Sequence, residues 1–216
     1  MRRMSKTEEA QHRLHEAAYH EASHAVVHFA VENPHSPTLN ITSNRAYYYQ
    51  QFSTGMARAW VDLAGTIGGA VYNLDQIVPG AGFDEAEVAY RLRLYECDDH
   101  SDAAFRLIPD YQPGSSVTRG RIAKVLRNEA RLVSDLLRQN WPVVERVAQA
   151  AIRMGMLFEA ALRQLIEGPG DLVRVWESSV AKEYRELGLE RRRRRLEGQK
   201  AIFRSPNSGQ PLGQSS

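Results

Sequence analysis

The chain has 216 residues, and its 28 lysines and arginines against 26 aspartates and glutamates give a formal net charge of +2. This length suits one domain with an appendage, the near balance of charge indicates no particular partner, and the single cysteine, Cys97, excludes an internal disulfide framework. No apolar run approaches the roughly 18 to 20 residues that cross a bilayer, and the N-terminal segment lacks the apolar stretch of a signal peptide, so we expect a cytoplasmic protein with no membrane partner.

The first part of the chain predicts two helices with a short β element between them. Apolar residues recur at spacings of three and four from about Thr7 to Glu32, which predicts one long helix that ends before Pro34. Residues 38–53 are rich in β-branched and aromatic side chains and predict one or two short strands. Residues 55–74 predict a second helix, whose small residues would let another helix approach closely: Ala64, Gly65, Gly68, Gly69 and Ala70.

Helical periodicity continues through the rest of the chain. An acidic stretch at residues 84–111 holds two short helical patterns. Three amphipathic helices are predicted after it, over residues 117–140, 141–156 and 157–168. The last of these patterns ends at a glycine, as helices often do.

The distribution of apolar and charged residues predicts two regions. Residues 1–168 carry the helical patterns and predict a mainly α-helical domain with a small β element. Residues 169–216 begin as an increasingly charged helical extension and end in a basic and polar tail that lacks the apolar content to fold.

Two histidines four residues apart, His20 and His24, flank a glutamate in the first predicted helix. Positions with this spacing lie on one helix face, so both imidazoles can reach one cation at the roughly 2.0 to 2.1 Å of zinc–nitrogen bonds. Glu21 is rotated by about 100° around the helix axis, so it does not bind the ion and can act as a general base on a nearby water. A helix that is merely rich in histidine would show the same spacing, but the apolar flanks favour a buried metal site.

Three further histidines lie near this motif. His28 continues the spacing of four, but one straight helix cannot easily aim three imidazoles at one ion, so we expect a structural role for His28. His12 and His15 precede the motif on a more polar stretch, and we expect their rings to be solvated.

Three segments, in order along the chain, resemble the FtsH family of zinc metalloproteases. AYHEASHAVV, residues 18–27, resembles the family's zinc-binding helix, whose pattern is close to H-E-A-G-H-A, with Ser23 in place of the glycine. VDLAGTIGGAVYN, residues 61–73, is similar to the small-residue helix behind the family's site, and residues 129–166 resemble its closing helices. The likeness covers about residues 12–167. It implies an FtsH-peptidase-like helical domain with a small β element beside the HExxH helix, a zinc ion and assembly into homo-oligomers.

The resemblance also implies a third zinc ligand, an aspartate at the start of a later helix. Its counterpart must lie in ECDDHSDAAFRL, residues 96–107. Asp99 is the preferred candidate, because it stands at an N-cap position and keeps the family's alanine four residues further on. The alternatives in this segment are Asp98, Asp102, Cys97 and His100. An acidic helix start that is favoured only by the macrodipole would leave a two-histidine site too weak for tight zinc binding.

The motif and the resemblance together predict a zinc-dependent metalloendopeptidase. His20, His24 and Asp99 would hold Zn2+, and Glu21 would be the general base. The sequence has no G-x-x-x-x-G-K-[ST] phosphate loop, so we expect ATP-independent activity on peptides or unfolded protein.

A different class of function is the alternative, namely a non-catalytic metal-binding helical adaptor or a module that binds nucleic acid. The second version rests on the run Arg191–Arg195, since clustered arginines bind phosphates with a salt-dependent affinity. The same run also suits a solvated helix end, and no aromatic residues interleave it to stack on bases.

Overall fold

The computed structural model describes residues 4–42, 45–49, 55–77, 103, 107 and 118–204. Helices dominate this part of the chain, and the strands form one small antiparallel sheet. The predicted fold class, mainly α with a small β element, is therefore confirmed. The elements in chain order are α1 (Lys6–Val31), β1 (Thr38–Thr42), β2 (Arg45–Tyr49), α2 (Gly55–Ile77), α3 (Thr118–Gln139), α4 (Trp141–Met154), β3 (Met156–Leu157), α5 (Glu159–Ile166) and α6 (Ala181–Arg204).

Helix α1 is the central element, and it packs against α2, α3, α4 and the first two strands. It begins with a capping box in which the Ser5 hydroxyl accepts the Glu8 amide and the Glu8 carboxylate accepts the Ser5 amide. Its second half, from Ala18 to Val31, is almost entirely buried, as the apolar pattern predicts. The HExxH motif therefore lies in the helix that other elements surround.

Helices α1 and α2 approach closely at Gly68. A β-carbon at this position would lie 1.9 Å from the Ser23 hydroxyl and 3.1 Å from the carbonyl oxygen of Tyr19. The Ser23 hydroxyl donates to that same carbonyl oxygen at 2.8 Å, so the serine side chain lies folded back against its own helix at the contact. The prediction that small residues let a second helix approach is confirmed.

The sheet has the strand order β2-β1-β3, and both pairings are antiparallel. Strands β1 and β2 lie in the segment that predicts them, whereas β3 falls where helices are predicted over 141–156 and 157–168. Gly155 ends α4 with a φ of 75°, a left-handed conformation that glycine adopts without strain. Its carbonyl accepts the Ile41 amide at 2.6 Å, and the next two residues pair with β1. This pairing delays the start of α5 to Glu159.

The first compact unit extends to Ala181, beyond the boundary at 168 that the sequence predicts. Asn140, between α3 and α4, is 1% exposed and exchanges hydrogen bonds with the backbone of Val173. The amide of Val175 donates to Ala30 in α1, and the Val175 side chain is buried. Residues 169–181 therefore pack against the C-terminal part of α1, although the sequence assigns them to the charged extension.

A second unit begins at Lys182 and contains most of α6. Two arginines of the basic run form ion pairs along this helix, Arg193 with Glu197 at 3.1 Å and Arg194 with Glu190 at 2.8 Å. Both pairs are largely exposed to solvent and contribute little to stability. Across the residues that the structure describes, no helix is both long and apolar enough to cross a membrane.

Candidate metal centre

The structure brings the two histidines of the motif together on α1. The Nε2 atoms of His20 and His24 lie 3.0 Å apart, with the rings nearly perpendicular at 80°. His24 is buried and His20 is half-buried. Both imidazoles thus direct the same nitrogen at one point on the side of α1 that faces α2.

A backbone carbonyl of α2 orients the His24 ring. The Nδ1 atom of His24 lies 2.6 Å from the carbonyl oxygen of Val61. A carbonyl can only accept, so Nδ1 carries the proton, and Nε2 of the neutral ring has its lone pair available. In the neutral pair His20 therefore donates its Nε2–H to Nε2 of His24. A hydrogen bond from the second ring nitrogen is a common way to orient metal-binding histidines.

Gly65 on α2 leaves the space that both rings occupy. A β-carbon on Gly65 would lie 2.2 Å from Nε2 of His24 and 2.6 Å from Nε2 of His20. The sequence predicts Gly65 only as one of several small residues that allow close helix packing. The structure shows that this glycine makes room for the paired imidazoles rather than for the helix backbone.

The pair fits a zinc ion in donor type and in spacing. A tetrahedral ion with bonds of about 2.05 Å separates two ligand atoms by about 3.3 Å, close to the 3.0 Å between the two Nε2 atoms. Small ring rotations cover the difference. Within the described ranges, no group of three or more histidine, cysteine, aspartate or glutamate side chains is arranged to hold a metal. The described part of the site is therefore a two-histidine pair that needs a further ligand.

The predicted third ligand, Asp99, lies outside the described residues. The same is true of its alternatives, Asp98, Asp102, Cys97 and His100. Two residues of this segment are described. Ala103 is helical and fully buried, and Leu107 is helical and half-buried. The assignment of the third ligand stays a prediction.

Glu21 is buried on α1, with only 7% of its surface exposed. It directly follows His20 in a regular helix, so its side chain leaves α1 about 100° away from that ligand face. A carboxylate that follows the first histidine directly in the chain, and is well shielded from bulk water, has the chemistry of a general base.

His28 is fully buried and has the structural role that the sequence predicts. Its Nε2 donates to the Glu32 carboxylate at 2.6 Å, and the Tyr48 hydroxyl donates to its Nδ1 at 3.3 Å. Burial lowers the pKa of His28 to about 4, against an opposing effect of Glu32. The neutral ring therefore joins the C-terminal end of α1 to strand β2.

The expectation that His12 and His15 are solvated is wrong. Both residues are half-buried, and their ring centroids lie 5.6 Å and 6.4 Å from that of Tyr72 on α2. Tyr72 stacks in turn on Tyr19 at 4.6 Å. The two histidines pack at the edge of an aromatic cluster because α2 extends along the N-terminal half of α1, which the polar composition of that stretch does not predict.

Comparison of the chain with protein-family models and with curated proteins finds no match. The likeness to FtsH-type proteases rests on the motifs in the sequence. The contacts of the two rings with α2, at the Val61 carbonyl and at Gly65, are observations of the structure that no motif in the sequence contains.

Proposed function

We propose that the protein is a zinc-dependent metalloendopeptidase that acts without ATP on flexible or unfolded polypeptide. The observation that carries this proposal is the convergence of His20 and His24, whose Nε2 atoms lie 3.0 Å apart beside a buried glutamate. The carbonyl of Val61 and the space at Gly65 support it further, because both serve the imidazoles rather than the packing of the helices.

Each residue of the proposed site has its own role in hydrolysis. His20 and His24 hold the ion, with Asp99 as the preferred third ligand. A bound zinc ion supplies Lewis acidity, which lowers the pKa of a water molecule towards about 7. Glu21 accepts a proton from the attacking water and returns it to the leaving amine nitrogen. The burial of His24 and the partial burial of His20 shield these charges in part from bulk solvent.

Strand β2 is a candidate surface for substrate. It lies at one edge of the described sheet, and it exposes Tyr47 and Tyr49. An extended peptide can add to such an edge through backbone hydrogen bonds. His28 and Tyr48 tie β2 to the same helix that carries the motif, so peptide aligned along β2 would be held by a fixed neighbour of the site. A flexible chain can become extended along β2 more readily than a segment of a compact protein can.

The test is cleavage of casein by the parent protein and by Glu21→Gln, with zinc content measured in both. The variant keeps the size and hydrogen bonding of the side chain but removes the base, so zinc should stay bound while hydrolysis falls by about 100- to 10,000-fold. Glu9→Gln, an exposed position on the same helix, is the matched control and should cleave like the parent. Equal cleavage by Glu21→Gln and the parent would contradict the proposal.

An inert parent protein that nevertheless holds zinc would favour the alternative, the non-catalytic metal-binding adaptor. Binding of nucleic acid through Arg191–Arg195 is the other version of that alternative. The ion pairs of Arg193 and Arg194 with glutamates reduce the positive charge that this run offers to phosphates.

The single cysteine, Cys97, supports a reducing compartment such as the cytoplasm.

A further inference from the structure

A carboxylate and an amide meet one helical turn before the histidine pair. The side-chain amide of Asn73 on α2 donates to the Glu16 carboxylate on α1 at 2.5 Å. Asn73 is 9% exposed, and its Oδ1 atom is buried without a hydrogen-bond partner among the described residues. A buried polar atom left unpaired in this way costs about 1 to 3 kcal/mol, so the amide is oriented towards the carboxylate at the expense of its own oxygen.

Glu16 is also a neighbour of the first ligand histidine. It precedes His20 by four residues, so both side chains lie on one face of α1. A β-carbon on Gly69 would lie 3.8 Å from Nδ1 of His20 and 3.9 Å from Cγ of Glu16. Both groups therefore line the same gap between α1 and α2, which Gly69 leaves open.

Metal binding creates a demand for an acceptor at this position. In the neutral pair, His20 carries its proton on Nε2, which it donates to His24. A neutral imidazole that binds a metal through Nε2 carries its proton on Nδ1 instead, and metal-binding histidines donate that proton to a carboxylate, a carbonyl or a water. The Val61 carbonyl is such an acceptor for His24. By the same rule, we expect a carboxylate, a carbonyl or a water to accept this proton from His20 when the metal is bound.

We propose that Glu16, held in place by Asn73, accepts the Nδ1–H of His20 and is a positioning residue of the metal centre. This inference rests on the proposed function, since it assumes that His20 and His24 bind zinc. The carboxylate fixes the orientation of the His20 ring and makes the ring a stronger ligand. Asn73 donates to one carboxylate oxygen, which leaves the other oxygen for the imidazole.

The experiment measures zinc affinity by competition with a chromophoric chelator. Loss of an outer carboxylate typically weakens metal binding by about 10- to 100-fold, so Glu16→Gln should do so while its thermal unfolding stays close to that of the parent. Glu9→Gln, which removes a surface carboxylate paired with Arg13 on the same helix, should bind zinc like the parent. The double variant Glu16→Gln/Asn73→Asp exchanges the carboxylate and the amide across the gap, and it should regain most of the lost affinity.

A spectroscopic measurement separates this role from a merely structural one. In the zinc-loaded parent, the imidazole nitrogen shifts of His20 should report a protonated Nδ1 with a strong acceptor, and the Nδ1 shift should change in Glu16→Gln. The Nδ1 shift of His24, whose acceptor is Val61, should stay constant.

Zinc affinity of Glu16→Gln within about twofold of the parent, in a protein whose zinc depends on His24, would overturn the inference and leave the proposed function standing. A parent protein that binds no zinc would overturn both. An unrecovered affinity in the double variant, together with an unchanged His20 shift in Glu16→Gln, would also count against the role of Glu16.

Discussion

Replacing Gly65 with alanine should remove the proposed metal site while leaving the fold intact. The new β-carbon would lie 2.2 Å from Nε2 of His24, so the ring must move by about 1.3 Å to reach an ordinary contact of about 3.5 Å. Metal–ligand distances tolerate only about 0.2 Å, and the Val61 carbonyl opposes the movement of the ring. We therefore expect zinc affinity to fall by at least the roughly 10- to 100-fold that loss of an orienting partner costs a metal site.

The same helix offers a matched control. A β-carbon on Gly69 meets its nearest atoms at 3.8 Å, so Gly69→Ala should keep zinc. Alanine is favoured over glycine in a helix by about 1 kcal/mol, which limits the change in melting temperature of metal-free Gly69→Ala to roughly 4 °C. The assay is chelator competition on both variants, with circular dichroism to verify folding. Equal zinc affinity in Gly65→Ala and Gly69→Ala would refute the idea that the imidazole rings need the space at Gly65.

Two further predictions concern the third ligand and the effect of pH. If Asp99 completes the site, Asp99→Ala should lower zinc affinity sharply, while Asp102→Ala should cost only about 1 kcal/mol of helix-capping stability; the reverse pattern in the same titration would move the assignment to Asp102. Burial lowers the pKa of His28 to about 4, whereas the usual value is about 6.5. Between these two pH values only the unfolded state gains the proton, so the free energy of unfolding of the metal-free protein decreases as the pH falls. The free energy of unfolding from urea titrations should decline across this range by at most about 3 kcal/mol through this residue, and a His28→Gln variant that declines equally would contradict it.

The sequence predicts those parts of the fold that depend on local periodicity. The pattern from Thr7 to Glu32 matches α1 to within one residue at each end, because apolar side chains recur along the whole helix at the spacing that local periodicity detects. Strand β3 is not predictable in this way. It has two residues, and its existence depends on the backbone of β1, more than a hundred residues earlier in the chain.

In the candidate site, too, only the features that depend on local spacing are predictable from the sequence. The positions of His20 and His24 on one face follow from a spacing of four, and the structure confirms that their rings converge. The partners that orient the rings do not follow from any local pattern. Val61 contributes a backbone carbonyl, which carries no side-chain signal, and Asn73 meets Glu16 from 57 positions away.

Zinc content is the most direct test of the central claim, that His20 and His24 form a metal site. Protein purified without added metal or chelator should contain about one zinc per chain by elemental analysis, and His24→Ala should lose it. His12→Ala is the control, because the ring of His12 packs on Tyr72 outside the pair, and it should keep its zinc. A His24→Ala protein with as much zinc as the parent, or a parent protein with none, would contradict the account.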